Sequence, residues 1–281
     1  MPRQLINYNG EIFPADHPVL PVNNRAFRYG DGLFESMRVI NGELKFADRH
    51  AERLQLGMKT LKLEGYSKID AFFLREKVGD LLKRTQIGQN ARVRLTVFRE
   101  GDGLYTPVNN KFGYALEVSK IDEVIYTSNQ KGLILDVYDE VTKPVNALSN
   151  LKTCNSLVYV LAGIFRVQNN LDEVFILNHH GFLCETMSSN VFVLYDKSLY
   201  TPALTEGCVA GVMRSVVMQL AQKSKIPVIE AQINPDILNE AEEVFITNSI
   251  KGIQWVMGYN NKRYFNEVTR FLLGKLNNSP K

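Results

Sequence analysis

The stretch Glu173-Val174-Phe175-Ile176-Leu177-Asn178-His179-His180-Gly181-Phe182-Leu183-Cys184-Glu185 reads as a β-hairpin. A run of β-branched and aromatic residues enters a polar tip closed by glycine, and an apolar strand returns from it. The return ends on a carboxylate, Glu185. Such an acid is either a strand-end surface group or a buried one with a cationic partner. Beyond it, Val191-Phe192-Val193-Leu194-Tyr195 resumes a strand pattern. The His179-His180 pair sits on a turn with no further His or Cys at ligand spacing, so no metal site is expected.

Working outward, the amino-terminal half repeats the hairpin theme. Asn9-Gly10 separates Leu5-Ile6-Asn7-Tyr8 from Glu11-Ile12-Phe13-Pro14, and Asn41-Gly42-Glu43 separates Met37-Arg38-Val39-Ile40 from Leu44-Lys45-Phe46. Leu54, Met58 and Leu61 fall at helical spacing after Asp48, and a second helix is expected over residues 68–84. Residues 91–98 and 114–118 alternate like half-buried strands. The polar stretch near residues 119–131 has no clear period, which predicts a domain boundary there. Beyond it come a strand over 133–138, a helix over 155–169, the opening hairpin, a helix over 212–224 and a strand over 243–247. The expected architecture is α+β in two domains, 1–120 and 132–281, joined by a linker over 121–131.

Composition narrows the class. The chain has 281 residues with 45% hydrophobic and 22% charged residues, an ordinary globular balance. Lys and Arg number 33 against 30 Asp and Glu, a net charge of +3 too weak to argue for nucleic acid or an anionic membrane. No apolar run reaches bilayer length, and Met1-Pro2-Arg3-Gln4-Leu5-Ile6-Asn7 lacks a signal-peptide core. Three cysteines, Cys154, Cys184 and Cys208, make no close pair, which argues for a reducing compartment and a cytoplasmic home. They read as small apolar fillers.

Three local settings carry chemistry. Lys152 lies in Ser149-Asn150-Leu151-Lys152-Thr153-Cys154-Asn155, just before a helix. Glu185 ends its strand. Gly207-Cys208-Val209-Ala210-Gly211-Val212-Met213-Arg214 puts two glycines ahead of an amphipathic helix. An amine nucleophile, a carboxylate and a helix N-terminus are what a pyridoxal phosphate requires: a Schiff-base partner, a pyridinium partner and a phosphate cradle. Lys143, in Thr142-Lys143-Pro144, is the nearest rival amine but has no comparable company in the sequence. Thr247-Asn248-Ser249 offers a second cradle, and Arg53 is a fixed cation for the phosphate.

Together these segments resemble the class IV, fold-type IV pyridoxal-phosphate family of branched-chain aminotransferases, D-amino-acid aminotransferases and aminodeoxychorismate lyases. The likeness rests on Tyr29-Gly30-Asp31-Gly32-Leu33-Phe34-Glu35, His50-Ala51-Glu52-Arg53-Leu54, Lys152-Thr153-Cys154-Asn155, Glu185-Thr186-Met187-Ser188-Ser189-Asn190, residues 200–214, and Glu243-Val244-Phe245-Ile246-Thr247-Asn248-Ser249. It implies a D-amino-acid aminotransferase-like, α+β fold. Lys152 would be the Schiff-base lysine and Glu185 the pyridinium partner. Arg53, the backbone of Val212 and Met213, and Ser249 would hold the phosphate. The amides of Ser249 and Ile250 would face the substrate carboxylate, Arg94 would meet an acidic substrate group, and Tyr29 and Phe34 would line the pocket. It also implies a homodimer acting on a small amino acid and a 2-oxo acid.

The branches divide over detail. Asn155 after Lys152 resembles the lyases and D-amino-acid enzymes, whereas Glu35-Ser36 resembles the transaminases. The loop Arg99-Glu100-Gly101-Asp102-Gly103-Leu104 lacks the Arg-x-His pair of the D-amino-acid enzymes. The leading expectation is an aminotransferase that favours branched-chain L-amino acids. The rival is a lyase that releases pyruvate and 4-aminobenzoate from aminodeoxychorismate. A ligand-binding protein without turnover is the remote third.

Overall fold

A computed structural model describes residues 4–278; the first three residues of the segment read for a signal peptide, and the last three of the chain, lie outside them. The chain divides into two compact units. One comprises residues up to Val124 together with Leu151–Asn155, and the other comprises Ile125–Asn150 and everything from Ser156 onward.

The first unit opens with β1 (Leu5–Tyr8) and β2 (Glu11–Pro14), the short helix α1 (Arg25–Tyr29), β3 (Gly32–Ile40) and β4 (Glu43–Leu44). Asn9 and Gly10, then Asn41 and Gly42, all take positive φ, the geometry that lets a two-residue turn follow the twist of its strands. Helices α2 (Ala47–Thr60) and α3 (Ala71–Thr85) follow, then β5 (Ala91–Arg99) and β6 (Phe112–Lys120). Asp70 caps α3 by accepting the Phe73 amide at 2.8 Å. The six strands form one antiparallel sheet in the order β2-β1-β6-β5-β3-β4. Met37, Val39, Val93 and Leu95 face Leu54, Met58, Leu74, Val78 and Leu81 in its core. Each such side chain contributes about 1.5–3 kcal/mol relative to exposure.

The second unit contains β7 (Leu133–Lys143), α4 (Leu157–Gln168), β8 (Glu173–Asn178), β9 (Leu183–Thr186), β10 (Asn190–Tyr195), β11 (Ser198–Pro202), α5 (Val212–Lys223), β12 (Val228–Ala231), β13 (Glu243–Asn248), β14 (Gly252–Tyr259), β15 (Lys262–Arg263) and α6 (Glu267–Asn277). Its sheet runs β12-β11-β10-β13-β14-β7-β8-β9, with β15 paired to β14. Here the expectation of antiparallel hairpins was incomplete. The pairs β7–β8, β7–β14 and β11–β12 are parallel, and α4 and α5 supply the crossover for the first and last of them. Strand β7 also runs to Lys143, five residues past its expected end. The fold is α+β, with β8, β10 and β13 buried almost throughout.

Candidate functional site

Lys152 is placed by backbone pairing. The segment Leu151–Asn155 runs beside the start of β3, where the Phe34 N–H donates to the Lys152 carbonyl and the Cys154 N–H to the Gly32 carbonyl, both at 2.9 Å. An antiparallel bridge joins Leu33 to Thr153. On its other side Gly32 lies close to β5, where a Cβ would fall 2.6 Å from the Val97 carbonyl oxygen. The Lys152 ammonium stands 4.4 Å from the Phe34 ring centroid, and the Arg94 guanidinium carbon stands 4.0 Å from the same centroid. One aromatic ring therefore holds two cations. Arg92 shares the strand parity of Arg94 but is exposed, whereas Arg94 is half-buried. The Tyr29 ring lies tilted against Tyr105 at 5.5 Å. Asn155 donates from its side-chain amide to the Gly30 carbonyl at 3.4 Å, beneath a Gly30 in the left-handed region.

Arg53 has partners that the sequence reading did not assign to it. Its Nε donates to Glu35 Oε1 at 2.8 Å and its Nη2 to Oε2, while His50 Nδ1 lies 2.7 Å from Oε2. Burial pushes the Glu35 carboxyl up, but Arg53 and His50 outweigh it and hold the group down at about 2. Burial also drives His50 downward, helped by the Arg53 and Lys152 cations and opposed by Glu35. The imidazole is therefore neutral at pH 7, and its Nδ1 carries the proton given to Glu35.

In the second unit Glu185 is buried and gripped from three directions. Lys143 and the Tyr159 hydroxyl, the latter at 2.7 Å, donate to Oε1, and the Val209 amide donates to Oε2 at 2.8 Å. This corrects the sequence reading of Lys143 as a lysine without company. Burial lowers the affinity of its ammonium for the proton, but Glu185 more than offsets this and pushes the group well above the ordinary lysine range. A lysine so held is charged at neutral pH and is no nucleophile. Its partners come from β9 and α4, some 40 and 16 residues away, so only the fold could reveal them. Burial likewise raises the thiols of Cys184 and Cys208, the latter to about 12, with Glu185 adding to both. Both are buried, and a raised thiol offers little thiolate at neutral pH.

The turn ahead of α5 has the properties of an anion cradle. Gly211 occupies the N-cap without any side-chain cap, so the amides of Val212 and Met213 begin the helix with no intrahelical acceptor. A Cβ at Gly211 would fall 1.9 Å from Asn190 Oδ1, so a larger residue would have to displace the Asn190 side chain, which donates to the Val209 carbonyl. Asn190 pairs across the sheet with Thr247, whose buried hydroxyl has no hydrogen-bond partner. Thr247 is thus an unsatisfied donor beside the cradle. Ser249 follows β13, and its carbonyl accepts from Tyr126 at 3.3 Å. Ile250 differs from expectation: its amide donates to Asn248 Oδ1 at 3.0 Å in an Asx turn. These donors suit a phosphate group, and the buried Glu185 carboxylate suits a protonated ring nitrogen. Among the described residues no group of three or more His, Cys, Asp or Glu could hold a metal ion, and no helix is long and apolar enough to cross a membrane.

Known proteins place this geometry. The chain is 28% identical to a Methanocaldococcus jannaschii protein that bears the name of a branched-chain-amino-acid aminotransferase, across 96% of this chain and 94% of that one. It is 26% identical to the aminodeoxychorismate lyase of Vibrio harveyi, across 94% and 97% respectively. The branched-chain aminotransferase of Thermoproteus uzoniensis, solved with norvaline, superimposes with a TM-score of 0.86 at 20% identity, covering 98% of this chain and 93% of that one. Residues 32–257 match the family described as Amino-transferase class IV, and the chain is an enzyme belonging to that family.

Proposed function

We propose that the chain is a pyridoxal-phosphate-dependent aminotransferase that moves the amino group of an amino acid, a branched-chain L-amino acid first, to a 2-oxo acid. The observation that carries this is the Phe34 ring with Lys152 on one contact and Arg94 on another. It combines an amine, an apolar aromatic wall and a guanidinium able to take a second carboxylate, as a 2-oxo diacid would present. When bound, pyridoxal phosphate supplies an aldehyde for amine exchange and a ring that delocalises the electrons left when a proton departs.

The chain's own residues do the rest. Lys152 Nζ would provide the amine that holds the aldehyde carbon and, once free, would carry the substrate's α-proton. Glu185 would serve the ring nitrogen: the Val209 amide uses one acceptor direction of Oε2, and a carboxylate oxygen has another to offer. The amides of Val212 and Met213, with Thr247 and Ser249, would hold phosphate in the second unit. In the first unit Arg53 would supply a cation. Tyr29 and Phe34 wall the pocket. The Ser249 amide meets the substrate carboxylate, a role that the Ile250 amide, already given to Asn248, does not share.

Asn155, the residue that resembles the lyases and D-amino-acid enzymes, donates to the Gly30 carbonyl, and the lyase stands as the alternative reading. A homodimer in the cytoplasm completes the proposal. It is supported by α4, which exposes Leu157, Val160, Leu161, Ile164 and Val167 together, an apolar face of the kind that marks a protein contact. Sedimentation equilibrium is expected to give twice the chain mass, and a monomer at micromolar concentration would remove that part.

The test of function is a half-reaction screen of the full chain. Adding pyridoxal phosphate should produce a visible absorption band that Lys152→Ala lacks, and branched-chain L-amino acids should bleach it. Turnover in Lys152→Ala should fall by about 10²-fold or more. A protein that never takes up the cofactor sinks the central claim. Pyruvate release from aminodeoxychorismate without transamination would decide for the lyase.

A further inference from the structure

Strand β3 turns a carboxylate into the core. Leu33, Glu35 and Met37 share one face of the strand, and all three are buried, Glu35 to 1% exposure. Alternation alone calls for an apolar residue at that position. His50 and Arg53 lie three residues apart on α2, which places them on the same helix face. His50 is fully buried, and the Arg53 side chain is 12% exposed.

A buried ion pair of this kind is a weak source of stability, because desolvating both charges offsets most of their attraction. Its geometry is more informative. Glu35 binds the Nε–Nη2 edge of the guanidinium, a fork-on-fork arrangement that fixes the plane as well as the position of the group. His50 holds the second carboxylate oxygen against rotation. A guanidinium held along this edge has both its plane and its direction fixed. Lysine, with a single charged point on a flexible stem, could not be aimed in this way.

We infer that Glu35 and His50 form a positioning pair that aims Arg53 at a phosphate monoester dianion, so that the phosphate-dependent part of cofactor affinity runs through two residues that do not touch the ligand. This rests on the reading of Arg53 as the phosphate's cation. The pair acts on orientation: removing Glu35 leaves the positive charge in place but lets the guanidinium rotate.

The experiment compares binding of pyridoxal 5′-phosphate and of pyridoxal to the full chain freed of cofactor, each followed by its visible absorption band. The dissociation constant of pyridoxal divided by that of pyridoxal 5′-phosphate isolates the phosphate. In Glu35→Gln this ratio is expected to fall about tenfold or more, with pyridoxal binding nearly unchanged, since a charge-assisted hydrogen-bonded orientation is lost. Equal loss for both ligands, or no loss, overturns the inference, because a merely structural role would move both alike. Should Glu35→Gln not fold, Glu35→Asp keeps the charge and withdraws it by one methylene. The same fall in ratio is expected there, and an unchanged ratio overturns the inference. Arg53→Gln, which removes the charge, separates the two levels. If it leaves the ratio intact, Arg53 is not the phosphate's cation and the underlying reading fails. If it collapses the ratio while the Glu35 variants do not, only the positioning pair fails.

Discussion

Each unit of the molecule holds a buried glutamate against a cation, and the two pairs are built for different ends. Glu35 meets the Nε and Nη2 of Arg53, with a neutral His50 as its third contact. Glu185 meets the single ammonium of Lys143, with the Tyr159 hydroxyl and the Val209 amide completing its shell. A guanidinium has five donors in a plane, so a carboxylate can grip one edge and leave the group able to serve a second anion. An ammonium is a point charge, and here it serves the carboxylate. Around Glu35 the acid orients the base. Around Glu185 the base, a hydroxyl and an amide orient the acid.

The largest effect that could break this comparison lies in the second unit. Lys143→Ala should destabilise the protein by about 3–5 kcal/mol, because it leaves a buried carboxylate without its cation. Lys143→Ala combined with Glu185→Gln should cost clearly less than the sum of the two single changes, as expected for partners in direct contact. Urea denaturation of the four proteins measures the coupling. Strict additivity would mean that water already solvates the pair, and the contrast with Glu35 would lose its basis.

The same contrast marks how much could be read from the sequence. Hairpins with Asn-Gly turns were legible because those turns need positive φ at both residues, and few other residue pairs accept that. Lys152, Glu185 and the glycines before α5 were legible as chemical types in ordered segments. Their supports were not. Glu35 stands in a recognisable segment, but its partners arrive from α2, and Lys143 is partnered only because β7 extends past its expected end and brings it to Glu185 on β9. Strand pairing brings distant residues together without leaving a local period. The parallel pairing of β7 with β8 was missed for a related reason: strand, helix and strand were each expected in turn, and that order is itself a crossover signature. The Arg92 and Arg94 parity could not be resolved either, since both occupy one face and only the tertiary surroundings bury one of them.

A smaller effect would sharpen the account of the first unit. The groups facing His50 are Glu35, Arg53 and Lys152. Its folded-state affinity for protons lies below the ordinary value of 6.5, so the unfolded chain protonates first as the pH falls. Its contribution to stability is therefore fully present above pH 6.5 and is lost progressively below it, by up to about 1.4 kcal/mol for each pH unit. Glu35 has the same sign but a different window: held at about 2, it stabilises above its ordinary value near 4.5 and loses that contribution only in stronger acid. Between pH 7.5 and 5.5, then, His50 alone of this cluster should set the slope. His50→Gln removes the titrating group while keeping an amide able to donate to Glu35, so its stability should change less with pH over that interval than that of the natural protein. Denaturation midpoints at several pH values measure the difference. Parallel curves for the two proteins would mean that His50 gains its proton as readily when folded as when unfolded, and a charged imidazole would then share Glu35 with Arg53 as a second cation.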